Sequence, residues 1–119
     1  MPSVLIADDA AFMRTMIRNI LTEAGYEVVG EAATGAAAVS KFRELQPDLT
    51  LMDITMPGMD GLAALGEIRG HDPEACVVMC TALGQQSMVA ESIRAGACAF
   101  VVKPFHPELV LETIQKALA

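Results

Sequence analysis

The strongest constraint on the fold is that short apolar runs and helical patterns alternate five times along the chain. The runs are too short for helices and predict strands at 3–7, 27–31, 49–52, 75–80 and 98–102. Helical spacing of apolar residues predicts helices at 10–24, between Thr34 and Pro47, between Asp60 and Gly70, at 84–95 and from Pro107 onward. Such alternation favours a parallel sheet with helices on both faces. The sequence therefore predicts one doubly wound α/β domain over residues 1–119.

Particular residues are expected to end these helices. Gly25 and Gly96 follow the first and fourth helical patterns as C-terminal caps, and Thr34 and Asp60 precede the second and third as N-caps. The eight methionines are most simply core residues, with the loop surface near the site as an alternative for Met56 before Pro57. The helix residues expected to face the sheet include Val39, Phe42 and Leu45 in the second helix and Met88, Val89 and Ile93 in the fourth.

Composition argues against several classes of function. A net charge of −7 would repel nucleic-acid phosphates and fits a cation or a basic protein surface as partner. No apolar block approaches the roughly 18 residues that cross a bilayer, and no secretion signal is visible, so we expect a cytoplasmic monomer with no membrane partner. The three cysteines lack zinc-site spacing and are expected as small buried hydrophobic residues. They are Cys76, Cys80 and Cys98.

Charged and hydroxyl side chains follow four of the predicted strands where each strand ends. Asp8 and Asp9 follow the first run, Asp53 the third, Thr81 the fourth and Lys103 the fifth. Periodicity alone leaves the strand order open. In the order 2-1-3-4-5, strands one and three are neighbours at the switch point where parallel sheets open a binding crevice. That order would bring the three aspartates together.

The chemistry of this set points to phosphoryl groups. Three carboxylates in one crevice repel one another unless a proton or a cation intervenes. Oxygen ligands in an incomplete shell suit Mg²⁺, and no glycine-rich phosphate loop is present. A lysine (Lys103), a hydroxyl (Thr81) and the metal would offset charge on phosphoryl oxygens. Asp53 could then attack phosphorus itself and form an acyl phosphate.

The residues Asp8, Asp9, Asp53, Thr81 and Lys103, each at a strand end and in this order, resemble the response-regulator receiver family over the whole chain. The resemblance implies a flavodoxin-like (βα)5 fold with sheet order 2-1-3-4-5 and Asp53 as phospho-acceptor. It implies Mg²⁺ bound by Asp9, Asp53 and the backbone carbonyl of Thr55, with Asp8 acting largely through water. It also implies a cis Lys103–Pro104 bond, an isomer that proline makes accessible.

The family further implies a conformational switch. Phe100 falls at its aromatic switch position and would turn inward when Thr81 moves toward the phosphate, altering the surface of helix four, strand five and helix five. Thr55 and Leu83 occupy the positions whose side chains influence how water reaches the acyl phosphate. Because Leu83 is apolar, we expect Leu83→Glu to change the rate of spontaneous dephosphorylation more than it changes magnesium affinity.

Residues 8–14 and 84–86 are similar to stand-alone chemotaxis regulators of the CheY type. In that family the partners are a CheA-like histidine kinase, the flagellar motor switch and often a phosphatase. We expect no second domain, so output would be reversible docking on another protein. Alternatives remain: a receiver in another phosphorelay, a small Mg²⁺-dependent phosphohydrolase with Asp53 as nucleophile, and a flavodoxin-like cofactor binder, which the acidic crevice disfavours.

Overall fold

The computed structural model describes residues 1–82 and 86–119, and in this part of the chain five strands alternate with five helices. The elements are β1 (Ser3–Ala7), α1 (Ala11–Glu23), β2 (Glu27–Ala32), α2 (Gly35–Leu45), β3 (Leu49–Asp53), α3 (Gly61–His71), β4 (Val77–Thr81), α4 (Gln86–Arg94), β5 (Ala99–Val102) and α5 (Pro107–Leu118). The predicted alternation is confirmed. The first residues of the helix expected at 84–95, like the expectation for Leu83, lie outside the described residues.

All five strands form one parallel sheet in the order β2-β1-β3-β4-β5. This is the flavodoxin-like arrangement expected from the resemblance. In it β1 and β3 are direct neighbours, with Ala7 opposite Met52. The strand order reverses at β1, so the crevice between the carboxyl ends of β1 and β3 is a natural binding place.

A separate apolar core covers each face of the sheet. On one face the side chains of Val4 and Ile6 pack with Ile17 of α1 and with Val110 and Ile114 of α5. On the other face Leu5 and Met52 pack with residues of α2 and α3. Successive strand residues thus point to opposite cores, as buried parallel strands require. Within the described residues, no helix is long and apolar enough to cross a membrane.

Local hydrogen bonds account for the helix boundaries. The N–H of Gly25 donates to Thr22 and that of Tyr26 to Leu21, and Gly25 has a φ of +91°, so α1 ends in a Schellman motif. The Thr34 side chain accepts from the Ala37 N–H at 3.1 Å and caps α2. The Asp60 carboxylate accepts from the Ala63 N–H at 2.9 Å in the same way. These three predicted caps are confirmed.

Several expected burials are wrong. Ile93 is 47% exposed, because α4 faces inward with Ser92, whose hydroxyl donates to the Met88 carbonyl and is therefore satisfied when buried. Leu45 is 37% exposed, at the end of α2 over the edge strand β2. Cys98 is exposed because it precedes the other edge strand, β5. Met56 is buried in the core beside α3, so the alternative of a loop-surface position is wrong and the core interpretation holds for this methionine.

Candidate functional site

The carboxyl ends of the strands bring the predicted acidic residues together. Asp8 and Asp9 directly follow β1, and Asp53 is the last residue of the neighbouring strand β3. Each of the three offers a carboxylate oxygen, and these oxygens lie within 4.8 Å of one another. Asp8 and Asp53 are buried and Asp9 is exposed, so the cluster is open to solvent on one side. Hard oxygen donors this close fit a divalent cation of the Mg²⁺ type.

Lys103 supplies a positive charge to the same cluster. Its Nζ lies 3.1 Å from Asp8 Oδ2 and 3.2 Å from Asp53 Oδ2, and it follows the adjoining end of β5. Burial opposes the charge on the amine, but the hydrogen bond to Asp8 and the carboxylate of Asp53 outweigh this effect and raise the pKa of Lys103. The lysine is therefore held as a cation between two carboxylates.

The surroundings of Asp53 disfavour the ionised form of its carboxyl group. Burial raises its pKa; the charge of Lys103 lowers it, and the charge of Asp8 raises it again. The net effect raises the pKa of Asp53 above its ordinary value of 3.8. A carboxylate that is costly to ionise here gains from a further cation, because added positive charge stabilises its ionised form.

Close backbone packing fixes the loop that carries Asp53. Gly61 begins α3, and its N–H donates to the Ile54 carbonyl at 2.7 Å. A Cβ placed on Gly61 would lie 1.9 Å from the carbonyl oxygen of Asp53. Only glycine fits this approach without displacement of the backbone. The start of α3 thus buttresses the end of β3.

The other predicted residues lie at the same edge of the sheet or on the neighbouring surface. Thr81 ends β4 and is buried, and its carbonyl accepts from the Lys103 N–H at 2.7 Å. The Lys103–Pro104 bond is cis, the isomer expected from the resemblance. Phe100 of β5 is 44% exposed and so points outward. The Thr55 N–H hydrogen bonds to the Asp53 carboxylate, which puts the Thr55 backbone beside the acidic cluster.

The sequence prediction missed an ionic group behind the acidic loop. Glu31 of β2 accepts from Arg14 Nε at 3.1 Å and from Arg18 Nε at 2.7 Å, both on α1. Arg14 Nη1 also donates to the backbone carbonyl of Asp8 at 2.7 Å. One signal was available: Glu31 is an acidic residue near the carboxyl end of a predicted strand, where an unpaired charge is disfavoured.

Comparisons with known proteins agree with this geometry. The family model for the response regulator receiver domain matches residues 4–115. CheY of Thermotoga maritima is 57% identical over 113 residues, which are 95% of this chain and 94% of the relative. CheY of Bacillus subtilis is 58% identical over 115 residues, which are 97% of this chain and 96% of the relative.

The fold comparison points the same way. A chain of the crystal structure of the CheX-CheY-BeF3-Mg+2 complex from Borrelia burgdorferi superposes with a TM-score of 0.94 at 35% identity, over 98% of this chain and 89% of that one. The family model spans almost the entire chain, and the sequence relatives share more than half of its residues. The chain belongs to the response regulator receiver domain family and is similar to the chemotaxis protein CheY.

Proposed function

We propose that the protein is a Mg²⁺-dependent phospho-acceptor switch of a two-component system, with Asp53 as the acceptor. The observation that carries the proposal is the meeting of Asp8, Asp9 and Asp53 within 4.8 Å, together with the Lys103 amine between two of them. Receiver membership supports the same function. The protein would act as a signalling switch that catalyses only its own phosphorylation and dephosphorylation.

The cation site would be formed by the carboxylates of Asp9 and Asp53 and the backbone carbonyl of Thr55, with Asp8 acting through water. Bound Mg²⁺ would neutralise charge on phosphoryl oxygens. The donor set supports this choice, because carboxylate and carbonyl oxygens are ligands that Mg²⁺ takes while it keeps several waters. The solved complex from Borrelia burgdorferi, a structural relative, contains Mg and BeF3.

The proposed transfer step uses the side chains of this cluster. An Asp53 carboxylate oxygen attacks the phosphorus of a phosphohistidine on a CheA-like kinase; the new P–O bond forms, the P–N bond breaks, and the imidazole leaves. Lys103 would pair with a phosphoryl oxygen, and its Nζ distance of 3.2 Å to Asp53 Oδ2 supports this role. Thr81, which is buried at the end of the adjacent strand β4, would donate its hydroxyl to another phosphoryl oxygen.

Output would come from the surface of α4, β5 and α5. Phe100 and Ile93 are exposed there and line a groove of about 390 Å³ with Cys98 and Thr113. Movement of Thr81 toward the phosphate would draw Phe100 inward and change this groove, which is a shift between two packings. Similarity to CheY supports the flagellar motor switch as target, a phosphatase as a further partner, and the cytoplasm as the place of action.

The proposal is tested by mixing the protein with acetyl phosphate and Mg²⁺ and following the intact mass. We expect a stoichiometric gain of one phosphoryl group that is labile to base, absent in Asp53→Asn and absent without Mg²⁺. Continuous release of phosphate in catalytic excess, without a modified protein, would instead indicate a phosphohydrolase. No modification in the wild-type protein at any Mg²⁺ concentration would overturn the switch.

A further inference from the structure

The side chain of Arg14 connects the loop of Asp8 and Asp9 to an ionic group around Glu31 that the proposed chemistry does not otherwise use. Its Nε donates to Glu31 Oε1 at 3.1 Å, and its Nη1 donates to the carbonyl oxygen of Asp8 at 2.7 Å. Glu31 is itself fixed, since Arg18 Nε donates to its other oxygen at 2.7 Å and Lys41 Nζ donates to its backbone carbonyl. Arg14 therefore joins the acidic loop to a glutamate that has bonds to two further side chains.

The carbonyl that Arg14 holds belongs to the peptide group joining Asp8 to Asp9. Because a peptide group is planar, fixing this carbonyl fixes the N–H and the Cα of Asp9 on its other side. The remaining polar groups of Asp8 are also engaged: its N–H donates to the Ala32 carbonyl at 3.0 Å, and its Oδ1 accepts from the Ala10 N–H at 2.9 Å. Arg14 thus completes the set of bonds that orients the loop.

Asp9 depends on this support more than the other two carboxylates do. Asp8 and Asp53 are buried, and Lys103 contacts both of them. Asp9 is exposed, so the backbone that carries it sets the position of its Cα and the direction of its Cα–Cβ bond. A ligand that is aimed in advance binds a cation more tightly, because less conformational entropy is lost on binding.

We propose that Arg14, anchored by Glu31, is a positioning residue that aims Asp9 at the cation site. The inference rests on the proposed magnesium function. Among the described bonds, the guanidinium of Arg14 contacts none of the carboxylates of the acidic cluster, so its effect passes through the Asp8–Asp9 peptide. The planar fork of arginine serves two acceptors at once, which a lysine ammonium on a single flexible stem does not reproduce.

Arg18 provides a matched control within the same helix. It pairs with the same carboxylate of Glu31, but its described bonds do not include the Asp8 carbonyl. Its side chain is 42% exposed, whereas that of Arg14 is 19% exposed. Arg14→Gln and Arg18→Gln therefore make the same chemical change to the anchor, and only the first removes the contact to the acidic loop.

The experiment is a titration with MgCl2 at constant ionic strength, followed by backbone amide NMR shifts and by calorimetry. Support around a metal ligand is worth about 10–100-fold in affinity, and we expect Arg14→Gln to weaken magnesium binding by about tenfold. Arg14→Lys should bind nearly as weakly, and Arg18→Gln should stay within about twofold of wild type. At saturating Mg²⁺, Arg14→Gln should accept phosphate from acetyl phosphate at close to the wild-type rate.

The results of this experiment distinguish failure of the positioning role of Arg14 from failure of the proposed magnesium function. If the wild-type protein binds no Mg²⁺, the proposed function fails. If wild type binds and Arg14→Gln binds equally well, or if Arg18→Gln loses as much affinity as Arg14→Gln, the positioning role is overturned. Full affinity in Arg14→Lys would also overturn it, since charge alone would then suffice. Glu31→Gln replaces the carboxylate that holds Arg14 by an uncharged amide of the same shape. It should weaken magnesium affinity by a smaller factor than Arg14→Gln does, and it tests the inference if Arg14→Gln does not fold.

Discussion

Lys103 is a single residue that offsets the electrostatic repulsion within the acidic cluster. Its amine contacts both Asp8 and Asp53, and the side chains of those two residues are only 2% and 9% exposed. Two carboxylates this close to each other and to the protein interior repel strongly without a cation. Removing the lysine leaves the repulsion between the two carboxylates uncompensated. If one carboxylate has already been removed, there is less repulsion for the lysine to offset.

We therefore expect the effects of Lys103→Met and Asp53→Asn on stability to be non-additive. In a double-mutant cycle measured by urea unfolding without divalent cations, Lys103→Met should cost more in the wild-type background than in Asp53→Asn. The coupling free energy should be about 1–2 kcal/mol, within the range for residues in direct contact. Additive effects would show that the two side chains do not interact in solution.

The residues of the site could be identified in the sequence, but the contacts that hold the acidic loop in place could not. Asp8, Asp9, Asp53, Thr81 and Lys103 each end a strand, so a pattern of strands was enough to single them out. Arg14 and Glu31 are 17 residues apart, and no local pattern in the sequence pairs them. Their contact arises only because α1 packs against β2. The spacing of residues along the chain does not reveal such tertiary packing.

At the scale of elements, the junction of β3 with α3 depends on glycine. The Cβ missing from Gly61 would lie 1.9 Å from the Asp53 carbonyl, so the helix begins in direct contact with the backbone of the strand. Gly66 in the same helix is exposed, with nothing within 4 Å of a built Cβ. The two glycines thus have opposite structural roles in one helix.

We expect Gly61→Ala to destabilise the protein by at least about 1–3 kcal/mol, the usual cost of overpacking, and to shift the amide resonances of the loop after Asp53. Gly66→Ala should stabilise by about 0.5–1 kcal/mol, because alanine favours the helix. Urea unfolding of both variants checks the difference. Equal stabilities for the two variants would contradict the close approach of α3 to β3.

The contact between α1 and β2 should respond to pH through Glu31. Burial raises the pKa of its carboxyl, but hydrogen bonds from Arg18 and Arg14 outweigh burial and hold the pKa below the ordinary value of 4.5. The charged groups facing it are Arg14 and Arg18 from α1 and Lys41 from α2. Because its folded pKa is lowered, ionised Glu31 adds stability above its unfolded pKa, and this is lost as pH falls through the folded pKa.

Wild type should therefore exceed Glu31→Gln in unfolding free energy by a constant amount between pH 6 and 8, a range above the ordinary pKa of 4.5. The difference should shrink as the pH falls below about 4.5 and the wild-type carboxyl takes up a proton. Urea unfolding at matched ionic strength across this range measures the difference. If the difference in unfolding free energy instead increased toward acid pH, the arginines would not favour the ionised form of Glu31.

Element order was predicted more reliably than the burial of helix faces. The caps of α1, α2 and α3 have local signals in Gly25, Thr34 and Asp60, and all three form as expected. Ile93 was misplaced because α4 faces inward with Ser92 instead, and Cys98 because it precedes β5, an edge strand. Periodicity shows which residues share a face, but it does not show that an edge strand leaves part of that face uncovered.

For the molecule as a whole, strand order is what turns separate strand ends into one site. Asp8 and Lys103 are 95 residues apart in sequence and 3.1 Å apart in space. Periodicity left that order open, and the resemblance to receivers supplied it. Since Asp8 and Asp9 follow β1 and Asp53 ends β3, a cation held there would link the carboxyl ends of these two neighbouring strands.

A cation that binds the folded chain and not the unfolded one should raise the stability of the whole molecule. At ten times its dissociation constant, Mg²⁺ would add about 1.4 kcal/mol, which for a chain of 119 residues corresponds to a rise of about 5 °C in the melting temperature. Differential scanning calorimetry with MgCl2, against NaCl at equal ionic strength, measures it. The double variant Asp9→Asn, Asp53→Asn should show no rise, because it lacks two of the proposed ligands. A shift of the same size in that variant would assign the effect to general screening of the −7 net charge, and not to a site built by the sheet.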